Sequence, residues 1–118
     1  MSIKFNMIKD LGGYNGFGIQ PTTDIFNGSL AANVAQSITV PSNHPNWIAI
    51  FTYAPGATIW VNFTTTATVP TGTVGASSNT LNPSARLVTK GQTLSLITAD
   101  ITNPWVNVEL QVIAPYSD

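Results

Sequence analysis

Apolar and polar residues alternate along most of this chain with the two-residue period of β-strands. The clearest run is WVNVELQVI, residues 105–113. Val106, Val108, Leu110 and Val112 share one side, and Asn107, Glu109 and Gln111 the other, which predicts a strand buried on the first side and wet on the second. TLSLIT (93–98) reads the same way, with Leu94 and Leu96 inward, and SARLVT (84–89) is a further strand reaching it through a turn at Lys90-Gly91-Gln92. LAANVAQSITV (30–40) places Leu30, Ala32, Val34, Ile38 and Val40 on one side until Pro41 ends it. Residues 64–83 are rich in Thr, Ser and Gly and predict one short strand near 67–69 inside a long connection. No eleven-residue window carries a helical period, and Val, Ile and Thr dominate the runs, as strands prefer. Six to eight short strands at regular spacing predict a single all-β domain, a compact β-sandwich or barrel.

Two apolar runs, NWIAIFTY and TIWVNF, flank Pro55-Gly56. This pair suits the centre of a type II turn, because proline fixes φ near −65° and glycine accepts positive φ. Read as a hairpin, the runs pair Tyr53 with Thr58, Thr52 with Ile59, Phe51 with Trp60 and Ile50 with Val61. One face then holds Ile48, Ile50, Thr52, Ile59, Val61 and Phe63, which suits a core. The other holds Trp47, Ala49, Phe51, Tyr53, Thr58, Trp60 and Asn62. Aromatic rings tipped with N–H and O–H groups are enriched at interfaces. The expectation is that Trp47, Phe51, Tyr53 and Trp60 form a surface covered either by a second subunit or by the chain's own N-terminal segment.

That segment, residues 1–28, reads differently from the rest. Gly12, Gly13, Gly16 and Gly18 surround Tyr14 and Phe17, a density that disfavours both helix and regular strand. It predicts an N-terminal arm over 1–28, with Tyr14 and Phe17 available to a neighbour, and a β-sandwich domain over 29–118.

Composition sharpens the surface question. Charged residues make up 8% of 118 residues, against roughly 25% in an ordinary domain, and the net charge is −1. Such a surface repels its own copies weakly and favours association. Lys4, Lys9, Arg86 and Lys90 are too few and scattered for a nucleic-acid footprint. No cysteine is present, and no apolar run approaches the ~20 residues of a membrane-spanning helix. The start MSIKFNMIKD lacks the apolar stretch of a signal peptide, so synthesis in a cytoplasm is expected.

No catalytic arrangement is legible. His44, the single histidine, lies in a Pro/Asn loop, and nothing pairs it with a nucleophile. The carboxylates Asp10, Asp24, Asp100, Glu109 and Asp118 show no paired spacing. The loops around Asp24 and Asp100 lack the density of acidic ligands a calcium site needs. The expectation is no enzyme, no cofactor and no metal. A carbohydrate-binding module using Trp47, Trp60 and Trp105 is the alternative to residues packed in a core or an interface.

The order ANVAQSITVPS, WIAIFTY, TIWVNFTTTATVPTG, SSNTLNPSARLVTKGQTLSLIT and VNVELQVI resembles the small β-rich virion proteins of tailed bacteriophages. The resemblance spans some 85 residues, roughly 29–113, and consists of strand types rather than a site motif. It implies a jelly-roll-like sandwich working in several copies, and the leading expectation is a trimeric capsid decoration (cement) protein bound to itself and to the major capsid protein. A tail, fibre or host-attachment component is its other implication. No functional residue is carried over by it.

Overall fold

The computed structural model describes residues 22–113 and, ahead of them, the backbone of two strands, 4–9 and 15–18. Among the described residues there is no helix. The strands are β1 (Lys4–Lys9), β2 (Asn15–Gly18), β3 (Ile25–Ser29), β4 (Gln36–Thr39), β5 (Asn46–Tyr53), β6 (Ile59–Asn62), β7 (Asn79–Leu81), β8 (Ala85–Thr89), β9 (Thr93–Thr98) and β10 (Trp105–Ile113). From β3 onward they make two four-stranded antiparallel sheets, in the orders β3-β10-β5-β8 and β4-β9-β6-β7. Of the successive links in this set, only β6 to β7 stays within one sheet.

A single cluster joins the two sheets. Trp47, Ala49, Phe51, Val88, Val106, Val108, Leu110 and Val112 come from the first sheet, and Ile59, Val61, Leu94 and Leu96 from the second. All are buried, and together with the antiparallel ladders this defines a β-sandwich-like body. The predicted inward sides of β9 and β10 are observed. Gln111, expected to be wet, is fully buried although it lies on the outer side. It occupies a central strand, beside Ile48 of β5, where β1 continues the sheet at Val112 and Ile113.

The Pro55-Gly56 turn forms as predicted, but the hairpin does not. Ala57 N–H donates to the Ala54 carbonyl at 3.0 Å, and Gly56 has φ 74°. β5 then pairs with β10 and β8, whereas β6 pairs with β9 and β7. The turn therefore carries the chain from one sheet to the other. A type II turn twists its flanking strands against the hairpin sense, which suits an arch between sheets. The consequence is a reversal of β5. Trp47, Ala49 and Phe51 point into the core, and Ile48, Ile50 and Thr52 point outward. Ile59 and Val61 of β6 keep their predicted core positions.

Two other expectations change. In residues 30–40 only Gln36–Thr39 is a strand: a turn at Ala32-Asn33, with Asn33 at φ 61°, breaks the alternation and leaves Val34 exposed. No strand forms at 67–69; the short strand of that region is β7. Upstream, β3 carries Ile25–Ser29 into the sheet through five pairs with β10, so the sandwich begins before residue 29. Asn15–Gly18, read as too glycine-rich for a strand, pairs with β1, and β1 meets β10 in parallel at Lys4–Val112 and Phe5–Ile113. The rest of the expected arm, with Tyr14, lies outside the described residues, and Phe17 is described only as backbone.

Candidate functional site

The structure separates the residues that the sequence grouped as one aromatic face. Trp47 is fully buried; its indole N–H donates to the His44 carbonyl at 2.9 Å, and the His44 ring meets it edge-on. Phe51 is buried between Tyr53, stacked at 6.3 Å, and Phe63, edge-on at 6.0 Å. Tyr53 is half-buried and donates its hydroxyl to the Pro83 carbonyl at 2.6 Å. Burial lifts its phenol well above the ordinary value, while the Arg86 charge pulls partly the other way. These three side chains belong to the chain's own core and its margin. Trp47 and Phe51 are enclosed by the cluster that joins the two sheets, and Tyr53 packs against it. Trp60 alone among the described four lies on an outer face.

On that face, the outer side of β4-β9-β6-β7, two rows of side chains cross the sheet. Ser37, Ser95, Asn62 and Asn79 form one, and Ile97, Trp60 and Leu81 the other. The connection of residues 63–78 folds back over them. Asn62, fully buried, fixes its base with five hydrogen bonds. Its Nδ2 donates to Ser78 Oγ and Asn79 Oδ1, and its Oδ1 accepts from Thr64 N, Thr64 Oγ1 and Thr65 N. Ser95 Oγ accepts from Ala67 N at 2.9 Å. Asn79 closes the frame, accepting from Thr68 N and donating to Thr68 Oγ1 and Ser77 Oγ. Buried polar groups on a sheet normally signal such a partner network. The signal in the sequence was Asn62 and Ser95 at positions beside apolar neighbours, facing a loop rich in hydroxyls.

Above this frame the connection opens. Residues 69–76 make no hydrogen bond to any described residue, and Gly72 turns the tip at φ 83°. Between tip and sheet lies a cleft of about 730 Å³. Half-buried Trp60 forms part of its wall, with Thr68, Pro70, Thr71, Thr73 and Asn79 among the others, and no charged residue lines it. The Trp60 indole N–H has no partner among the described residues.

The opposite outer face, on β3-β10-β5-β8, is apolar in a different way. Leu87 lies beside Ile48, and Ala85, Ile50, Glu109 and Ile25 form the adjoining row. Leu87 is 73% exposed and Ile25 41%. Trp105, 46% exposed, stands at the end of this face. A second cavity, about 320 Å³, opens between the edge strands β3 and β4 over Phe26, Ile38, Leu96 and Val108.

Chemically reactive groups are dispersed. His44 is committed through its carbonyl to Trp47, and an Asp100 carboxylate oxygen accepts from Thr58 N at 2.8 Å. Among the described residues no three of His, Asp, Glu or Cys come together as metal ligands would, and no helix is long and apolar enough to cross a membrane. Comparison with protein-family models, curated proteins and solved structures finds no match.

Proposed function

We propose that this chain is a non-enzymatic structural protein of a tailed-bacteriophage virion, folded as a jelly roll and working as a capsid decoration protein in closed trimers. The observation that carries the reading is the outer face of β3-β10-β5-β8. Leu87, Ile48, Ile50 and Ile25 adjoin across it with Glu109 as the charged member of the two rows. Adjoining apolar side chains left at a surface are the mark of a contact face. The low overall charge lets copies approach one another and a shell. The strand order supports the jelly roll, since eight strands in two four-stranded sheets, with nearly every link crossing between them, is its arrangement. Function is then contact alone: each interface buries on the order of 1,600 Å², and repetition over a shell adds avidity. The partners are further copies of the chain and the major capsid protein, and the site of action is the virion.

The test is the mass of the purified chain by light scattering, with cosedimentation on shells of the encoding phage. The expected mass is about three times that of the 12.5 kDa chain. Leu87→Glu with Ile50→Glu should give monomers that no longer cosediment. A wild-type monomer that does not bind shells overturns the proposal.

A further inference from the structure

We infer that the cleft over Trp60 is a binding site for neutral saccharides. This site lies on the sheet opposite the proposed contact face, so the inference stands independently of the assembly role.

The chemistry of the walls selects the ligand class. The indole of Trp60 is held by its strand, yet it is only partly buried, it lines the cleft, and its N–H is unused among the described residues. A sugar ring presents a face of C–H groups that packs on the negative face of an indole, while its hydroxyls reach the rim. The rim is supplied by residues 69–76, whose backbone groups and Thr71 and Thr73 hydroxyls make no hydrogen bond to the described chain. These groups can both donate and accept, as a ligand made of hydroxyls requires. No charge lines the cleft, which removes the means of holding a phosphate, a sulfate or an acidic peptide. A proline-rich peptide fits less well, since such segments dock into grooves lined by several aromatics and this cleft has one. At about 730 Å³ the space takes a di- or trisaccharide.

The construction also fits a site. Asn62, Ser95 and Asn79 hydrogen-bond the base of the connection and leave its tip free. The floor is therefore rigid and the rim adaptable. Asn79 is saturated by its own contacts, so recognition falls to Trp60 and the rim.

The test applies the labelled full chain to an array of neutral and acidic glycans and titrates the best-bound saccharide by tryptophan emission. The expected result is saturable binding of a neutral saccharide. Trp60→Ala should weaken it on the order of tenfold or more, and Trp105→Phe should leave it unchanged. If Trp60→Ala does not fold, residues 70–75 are replaced by Gly-Ser repeats, which the hydrogen-bonded frame does not contact, and the same loss is expected. No glycan bound, binding confined to acidic glycans, or undiminished binding in the variant that folds each overturns the inference.

Discussion

Replacing Asn62 with alanine tests whether one side chain holds the 63–78 connection on its sheet. The carboxamide is 1% exposed and makes five hydrogen bonds, three through Oδ1 and two through Nδ2. A typical bond contributes a net ~0.5–1.5 kcal/mol. Thr64 and Thr65 are exposed, so water replaces much of what their groups lose. The two Nδ2 bonds close the frame against Ser78 and Asn79, and they weigh more. The total comes to about 2–4 kcal/mol, above the ~1 kcal/mol of an average substitution. With a urea m-value of ~1–3 kcal/mol/M, the unfolding midpoint should drop by about 1–2 M. Urea unfolding followed by tryptophan emission reads the loss. Hydrogen exchange at Thr64, Thr65, Ala67 and Thr68 shows whether it is local. A cost below about 1 kcal/mol, with protection at those amides unchanged, would refute the assignment of Asn62 as the anchor.

Three further outcomes follow from single contacts. Trp47→Phe deletes the bond to the His44 carbonyl and leaves a void in the core, so thermal unfolding should show a loss of about 2–3 kcal/mol. Burial raises the Tyr53 phenol above its unfolded value of ~10. The stability it contributes is therefore complete below that pH and lost as pH rises beyond it, so the alkaline decline should be shallower in Tyr53→Phe than in wild type. Gly91→Ala meets no atom within 4 Å but must hold φ near 76°, and denaturation should register about 1–2 kcal/mol. Gly75→Ala, in open space without a positive φ, should stay within about 0.5 kcal/mol of wild type.

What could be read from sequence follows from how far each signal reaches. The alternation in β9 and β10 identified their inward sides because it depends only on neighbours along the strand. The Pro55-Gly56 signal identified a turn for the same reason. Whether a turn joins two strands of one sheet or two different sheets depends on partners far along the chain. Those partners are β10 for β5 and β9 for β6; the type II geometry at Pro55-Gly56 disfavours a hairpin but does not specify them. Assuming a hairpin therefore put Trp47 and Phe51 on the wrong side. The cleft was half legible: Trp60 was singled out, but its surroundings come from a connection whose Thr, Ser and Gly residues read only as loop.

The position of β10 has a consequence for how the molecule forms. Among the described residues it is the last strand in chain order, yet it lies between β3 and β5 and is the only strand bonded to β3. A nascent chain still lacking residues 105–113 has no partner for β3 among the described residues and an open seam along β5. Since nearly every link crosses between sheets, few pairings can form early from adjacent segments, and loop closure must precede most of the burial. Synthesis should thus yield an open chain until β10 emerges, followed by slow and concerted closure. The same wiring means that unfolding must withdraw a central strand, which favours a long-lived native state.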